Sequence, residues 1–230
     1  MPEKMNSISR LEWDSEFFNL EVGDFEYKNF SIPDCSDFDL VYIKSTNEIN
    51  LEIDGFEKTY TETKIIFRRD LTSPSQQDNS IFESSQIDFS IADVNQLAYE
   101  SGKYSRFKLD HKMNQKKFFE LYDLWVVNSL NKKFADGVYL FVEEAKAVGF
   151  VTYKISDRFA TIGLIAVSPN HQGKGIGKML LQTVENELLK MNIFELRIPT
   201  QEANKQACFF YEKLGYKKFE VININHFWKK

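Results

Sequence analysis

With 230 residues, 43% of them hydrophobic and 27% charged, the chain has globular composition and can hold one large domain, or a small one followed by a medium one, without metal or disulfide support. Its formal net charge of -5 argues against a nucleic-acid binder, because affinity for phosphate backbones comes chiefly from Lys and Arg. Cys35 and Cys208 fit no zinc or disulfide spacing, and no apolar run approaches the ~20 residues that cross a bilayer, so the expectation is a protein of the reducing cytoplasm with no metal, no nucleic acid and no membrane among its partners.

Leu40 to Ile43 and Lys64 to Phe67 read as strands, with a short helix expected near Asn47 to Ile53 and a turn at Asp54-Gly55. The polar stretch Leu71 to Ser80 (LTSPSQQDNS) has one Pro and no apolar periodicity, which marks a boundary. The expected division is 1–71 as an α/β unit, 72–82 as a connection and 83–230 as a second, larger domain. A first unit of about 70 residues has a core too small to be secure alone, so its sheet is expected to pack on, or continue, the sheet of the second.

Beyond the boundary, Ile87 to Ile91 alternates as a short strand and Asp93 can cap a helix bearing Val94, Leu97 and Ala98. A longer helix from about Asn114 to Leu130 carries Phe118, Leu121, Tyr122, Trp125 and Ser129 at three- and four-residue spacing. Val138 to Val142, Phe150 to Ile155 and Thr161 to Val167 suit an antiparallel meander. A helix then starts near Gly175 with Ile176, Leu180, Val184 and Leu188 as its buried stripe, Phe194 to Ile198 returns to strand, Asn204 to Leu214 reads as a helix closed at Gly215, and Phe219 to Trp228 as a last strand.

The most informative segment is Ile162 to Gly177, in which the strand GLIAV runs through Ser168-Pro169-Asn170-His171 into Gln172-Gly173-Lys174-Gly175-Ile176-Gly177-Lys178. Glycines that open a helix let main-chain N–H groups and the helix dipole face a phosphate or pyrophosphate. The spacing is not a Rossmann GxGxxG, because the third glycine comes one residue early. It is not a Walker loop either, because only three residues separate Gly173 from Gly177-Lys178 and Met179 stands where Ser or Thr would bind magnesium.

The remaining spacing, Gln172-x-x-Gly175-x-Gly177, resembles the pyrophosphate loop of the GNAT superfamily of acyl-CoA transferases. A second motif, Asn204, Ala207, Tyr211, Gly215 and Tyr216 in NKQACFFYEKLGY, is similar to the Asn-x-x-Ala-x-x-x-Tyr-x-x-x-Gly-aromatic pattern of the same superfamily. The resemblance implies an α/β (α+β) GNAT fold over roughly Ser90 to Lys230: a mixed, mostly antiparallel central sheet flanked by helices. It implies acetyl-CoA as cofactor, held by the loop residues together with Ile165, Ala166 and Val167 of the strand and Asn204, Ala207, Phe210 and Tyr211 of the later helix. It also places the acid that protonates the departing thiolate on Tyr211. A phenol with a reference pKa near ~10 is already protonated at neutral pH and suits that task, although a core aromatic at helical spacing would look the same.

A narrower resemblance lies in LEWDSEFFNLEVG (Leu11 to Gly23), in Ser105-Arg106-Phe107 and in the closing INHFWKK, which look like the dTDP-linked 4-amino-4,6-dideoxyhexose N-acetyltransferases. Those enzymes place a partial GNAT-like unit before a full one, which implies a nucleotide-sugar amine as substrate and, by analogy, a homodimer. Arg106 suits a substrate diphosphate, or else a surface ion pair, and Phe17, Phe18 and Phe107 suit sugar or base faces, or else core. Glu62 is the candidate base, with Tyr60 as an alternative in the same strand. Other readings stay open at this stage: a GNAT enzyme for another amine, or a CoA-binding module without turnover. His111, His171 and His226 have no setting that marks a catalytic base, and Cys208 reads as a packed residue.

Overall fold

The computed structural model describes residues 7–28, 32–76 and 80–230. In chain order its elements are β1 (Ser9–Arg10), α1 (Glu12–Phe18), β2 (Val22–Glu26), β3 (Leu40–Ser45), β4 (Phe56–Asp70), β5 (Ile81–Glu83), α2 (Ile91–Ser101), α3 (Arg106–Leu109) and α4 (Gln115–Leu130). They continue with β6 (Gly137–Glu143), β7 (Lys146–Ser156), β8 (Phe159–Val167), α5 (Ile176–Lys190), β9 (Glu195–Gln201), α6 (Lys205–Lys213) and β10 (Lys217–Lys229). The ten strands form one sheet in the order β1-β2-β3-β10-β4-β9-β8-β7-β6-β5. Only the β2/β3 and β8/β9 pairs are parallel, so the sheet is mixed and mostly antiparallel, as the resemblance implies.

Helix patterning sets the two layers. On α5 the expected stripe Ile176, Leu180, Val184 and Leu188 is buried and packs with Ile65, Phe67, Val151 and Ile198 beneath one face of the sheet. On α4, Asn114 Oδ1 accepts from the Lys116 N–H at 2.9 Å as an N-cap, and Phe118, Leu121, Tyr122, Val126 and Ser129 are buried. This helix and α2 cover the opposite face through Val94, Leu97, Phe150 and Leu164. Continuous burial of a helix stripe against a sheet face is the main stabilising term, at roughly 1.5–3 kcal/mol for each large apolar side chain removed from water.

The first seventy residues continue this sheet, and β4 enters it between β9 and β10, antiparallel to both. At fifteen residues it is far longer than the Lys64 to Phe67 segment that alternation suggests. Two expected elements are corrected. Asn47 to Ile53 is not helical, because Ile49, Leu51 and Ile53 recur every second residue and lay an extended segment over Val41, Ile43, Phe56 and Phe227. Ile87 to Ile91 is not a strand: the edge strand is Ile81–Glu83, paired with β6, while Ile87 and Phe89 pack as connection residues and α2 begins at Ile91 behind Ser90. Two short helices, α1 and α3, were not anticipated because neither is long enough to display a helical period.

Residues 77–79 of the expected connection 72–82, and residues 1–6 of the amino-terminal stretch, lie outside the described residues. The described part of the connection is tied to α5, where Asn186 accepts from the Ser75 N–H at 2.8 Å and donates to the Ser75 carbonyl at 3.0 Å. Among the described residues no helix is long and apolar enough to cross a membrane, and no cluster of three or more His, Cys, Asp or Glu is arranged to hold a metal.

Candidate active site

Strands β8 and β9 pair only at Ala160↔Leu196 and Thr161↔Arg197 and then separate. The main-chain groups of β8 from Ile162 onward that face β9 therefore have no ladder partner, and a cleft of about 610 Å³ opens between the strands. A bulge sets its shape. The β7/β8 register shifts between Val151 and Tyr153, and Thr152 Oγ1 accepts from the Leu164 N–H at 2.9 Å. The extra residue turns the strand over: Ala160 and Ile162 face the α5 side, but so do Ile165 and Val167, while Leu164 and Ala166 face α2 and α4. Gly163 is needed there, since a Cβ would come within 2.8 Å of Thr152 Oγ1. Neither Thr152 nor Gly163 was singled out from sequence, because strict alternation through 160–167 hides an inserted residue.

At the end of β8, a short 3-10 turn (Pro169–His171) leads to Gly173 and Gly175, which hold φ of +78° and +86°. Helix α5 starts directly behind Gly175 with no side chain capping it, so its first N–H groups face the cleft unpaired. Gln172 Nε2 donates to the Val167 carbonyl at 3.0 Å, and Gln206 Nε2 donates to Gln172 Oε1 at 3.1 Å, which ties the loop to β8 and α6. His171 bridges Ser168 Oγ and Glu143 Oε2, each at 2.8 Å, and borders the cleft. Of the expected cofactor residues, Ile165, Ala166, Val167, Gln172, Gly173, Gly175, Ile176, Gly177 and Lys178 line the cleft, whereas Lys174 is exposed and outside its lining.

Helix α6 closes this end. Asn204, Ala207, Phe210 and Tyr211 all line the cleft, but Asn204 is also committed as the N-cap, its Oδ1 accepting from the Ala207 N–H at 3.2 Å. The Phe210 ring lies 3.2 Å from where a Cβ on Gly177 would stand, so the glycine lets α6 approach the start of α5. Tyr211 is 4% exposed, packs against Phe67 and Phe210, and has no hydrogen-bond partner among the described residues. Burial raises its pKa, so the hydroxyl is a proton donor. Cys208 is buried, its thiol pKa is also raised by burial, and Sγ donates to the Gln201 carbonyl at 3.7 Å, none of which suits a thiolate nucleophile.

The other half of the cleft is built by β4, α3 and α4, with Glu62, Lys64, Arg106, Phe107, Tyr122, Trp125 and Ile224 in its lining. Glu62 is buried, and its Oε2 accepts from the Arg106 main-chain N–H at 2.9 Å. Glu62 and Phe67 are an odd number of residues apart on β4, so Glu62 points to the face opposite the one on which Tyr211 stacks. The two reach a common cleft because the sheet is split between β8 and β9. Tyr60 shares the face of Glu62 but stands opposite His226 and outside the cleft lining. Arg106 and Phe107 line the cleft. Phe17 and Phe18 do not: Phe17 stacks on Trp13, and Phe18 stacks behind Phe107 at 5.7 Å. Lys64 was not among the sequence candidates, and its position two residues from Glu62 on one strand face is the signal that could have found it.

The far end of α3 is held by Asp110, whose Oδ2 accepts from His226 Nδ1 at 2.6 Å, Trp228 Nε1 at 2.9 Å and Thr59 Oγ1 at 3.2 Å. Burial acts to raise the Asp110 pKa, but these hydrogen bonds and that from the Lys112 N–H outweigh it and bring it down to about 2. Burial lowers the pKa of His226 despite the carboxylate, so the imidazole is neutral and Nδ1 carries the proton. His226 is thus a fully buried structural partner of Asp110, and His111 is exposed.

The open parallel pair, the bulge, the glycine-led helix and the buried phenol come together in one cleft, the last two in the order in which the sequence resemblance to acyl-CoA transferases leads one to expect them. Residues 102–216, half of the 230-residue chain, match the acetyltransferase (GNAT) family, and the chain belongs to that family. Among curated proteins it is similar to the ribosomal protein bS18-alanine N-acetyltransferases of Haemophilus influenzae, 31% identical over 80 residues, and of Salmonella typhimurium, 32% identical over 82 residues. These matches cover 35% and 36% of this chain, which spans about half the length of the curated relatives it matches, 54% and 55% respectively. Among solved structures, a functionally unknown conserved protein from Staphylococcus epidermidis shares the fold over 99% of this chain and 94% of its own, with a TM-score of 0.59 and 13% identity. The tandem GNAT protein from the clavulanic acid biosynthesis pathway covers 83% of this chain and 64% of its own, with a TM-score of 0.55 and 11% identity.

Proposed function

We propose that this chain is an acetyl-CoA-dependent N-acetyltransferase that moves the acetyl group directly to an acceptor amine. The observation that carries the reading is the split between β8 and β9, which lets Tyr211 and Glu62 serve one cleft from opposite faces of the sheet. The cleft fits the cofactor on its own features. Unpaired N–H groups at the start of α5, with two glycines in left-handed conformation, suit a diphosphate, and the unpaired edge of β8 suits an amide-bearing arm. Gln172, Gly173, Gly175, Ile176, Gly177 and Lys178 would hold the diphosphate, Ile165 to Val167 the arm, and Asn204, Ala207 and Phe210 its outer side.

Acetyl-CoA supplies an activated thioester carbonyl. Glu62, a carboxylate fixed by the Arg106 N–H, takes the proton that the attacking amine must lose, directly or through a water. Main-chain N–H groups of the open β8 edge around Ile165 to Val167 would stabilise developing negative charge on the thioester oxygen. Tyr211, kept protonated by burial, donates to the leaving sulfur. Buried Cys208 has no part in a direct transfer.

For the acceptor, the reading is an amino group on a nucleotide-linked 4-amino-4,6-dideoxy sugar. The support is the WDSEFF segment, whose Phe18 backs Phe107 in the cleft, and the first seventy residues: residues 1–71 contribute to the substrate half through β4 with Glu62, alongside α3 and α4, while the cofactor loop and α6 belong to 83–230. The names of the curated relatives favour a second acceptor, the terminal amine of a protein. The setting is the cytoplasm, and a homodimer follows by analogy with the nucleotide-sugar enzymes. The test is thiol release from acetyl-CoA against nucleotide-linked amino sugars, free amino sugars, polyamines and short peptides. Turnover confined to the nucleotide-linked sugars supports the finer reading, turnover confined to peptides replaces it with the second acceptor, and CoA binding without turnover on any amine counts against catalysis.

A further inference from the structure

The proposed acceptor half of the cleft contains two cations, Lys64 and Arg106, that make no direct ion pair with any described side chain. Arg106 lies with its guanidinium over the rings of Tyr42 and Phe107, at 4.4 and 4.7 Å from their centroids, and makes no hydrogen bond or ion pair with any described side chain. Lys64, half-buried in the lining, likewise has no hydrogen-bond or ion-pair partner among the described residues. Other basic side chains near buried or half-buried carboxylates are paired, such as Arg69 with Glu185 at 3.0 Å, Lys44 with Asp24 at 2.7 Å and Lys154 with Asp136 at 2.8 Å. The nearby carboxylates make no direct pair with them: Glu62 accepts from the Arg106 main-chain N–H and, like Glu220, acts on Lys64 only through space, and Asp14 feels the Arg106 charge without pairing.

Keeping two like charges in one partly dry cleft is costly, and burial together with the Arg106 charge pulls the Lys64 pKa down. A group that supplies negative charge between them would remove that cost. We propose that Lys64 and Arg106 form an anion receptor, and that the acceptor amine carries a carboxylate or phosphate group that this receptor reads. Lys64 and Glu62 are alternate residues on one face of β4, about 7 Å apart along the strand, so the anion sits within a short linker of the reacting amine. Arg106 adds a second, fork-shaped contact for a carboxylate or phosphate. A polyamine or an uncharged amino sugar offers the receptor nothing, and a cationic acceptor is repelled. The inference rests on the acyl-transfer reading for the direction of the amine, but not for the binding of the anion.

Two measurements test it. Inorganic pyrophosphate and glutarate are titrated by calorimetry into the full-length protein at saturating CoA, so that the start of α5 is already filled, and into Lys64→Met and Arg106→Met. At least one anion is expected to bind the wild type, with affinity reduced about tenfold or more in each variant. Thiol release is then compared for an amino acid, an amino-sugar phosphate, a nucleotide-linked amino sugar, the corresponding uncharged amines and a polyamine. A preference of about tenfold or more for anionic amines, lost in Lys64→Met with the KM for acetyl-CoA unchanged, supports the receptor, and the favoured member tells carboxylate from phosphate. No anion binding to the wild type, equal binding by the variants, or preference for the uncharged or cationic amines overturns it. If CoA itself does not bind, the acyltransferase reading fails, and the receptor is judged from the difference between wild type and variants in the free protein.

Discussion

The main-chain N–H of Arg106 donates to Glu62 Oε2 across 2.9 Å, joining α3 to a strand that lies 44 residues earlier in the chain. With Asp110 holding the other end of α3 to β10 through His226 and Trp228, the four-residue helix is fixed at both ends, and Arg106 and Phe107 are presented to the cleft in one orientation. The hydrogen bond and the proposed proton transfer make different demands on Glu62. Glu62→Gln keeps an oxygen for the N–H but loses the base. The expected result is folding and CoA affinity close to wild type with turnover reduced about 10²-fold or more. Near-normal turnover in this variant would move the base to another group.

Tyr211 is surrounded by Phe67, Phe210 and Tyr216, so Tyr211→Phe leaves the packing in place and removes only the hydroxyl. Turnover is expected to fall about 10²-fold or more with little change in CoA affinity measured by titration. Loss of CoA affinity with retained turnover would assign the hydroxyl to cofactor binding.

The bulge that opens the cleft rests on one side-chain hydrogen bond. Thr152→Val strands the buried Leu164 N–H, which should destabilise the fold by about 1–3 kcal/mol and raise the KM for acetyl-CoA as 164–167 relax. Gly163→Val drives a side chain into Thr152 and is expected to cost more in both respects. Denaturant midpoints and steady-state kinetics on the two variants check this, and unchanged KM values would show that the bulge does not shape the cofactor half.

The Asp110–His226 pair predicts how stability depends on pH. Unfolded His226 binds a proton near pH ~6.5 and the buried native imidazole resists it, so the unfolded state holds more protons and stability falls as pH drops below that value. The contribution of Asp110 is complete above the ordinary carboxylate range, near pH ~4, and is lost as pH falls through about 2. Urea midpoints should therefore begin to decline below about pH 6.5 and decline again below about pH 4. His226→Asn should be less stable at about pH 8 yet show a shallower first decline. A first decline as steep as that of the wild type would place its cause elsewhere.

The end of the cleft proposed to hold the cofactor was legible in the amino-acid sequence as an arrangement of elements, because each of its parts is contiguous. A strand, a glycine-led turn and a helix occupy 162–177, and the Asn204, Ala207 and Tyr211 face is set by helical spacing. Such features depend on the φ/ψ preferences and side-chain periods of neighbouring residues, which the chain records locally. The buried stripe of α5 and the start of α4 near Asn114 follow for the same reason, whereas Asp93, expected as a cap, lies in the first turn of α2 behind Ser90.

Tertiary structure decided the end of the cleft proposed to take the acceptor. Glu62 and Lys64 meet Arg106 because β4 pairs with both β9 and β10, and that choice is made by long-range strand pairing. Alternation in the sequence could mark β4 as a strand but could not name its neighbours. The bulge at Gly163 likewise depends on a hydroxyl from the adjoining strand, and the lack of a direct carboxylate pair for Lys64 among the described residues depends on where the other charges come to rest. Both are properties of packed neighbours far apart in the chain, which local preference does not encode.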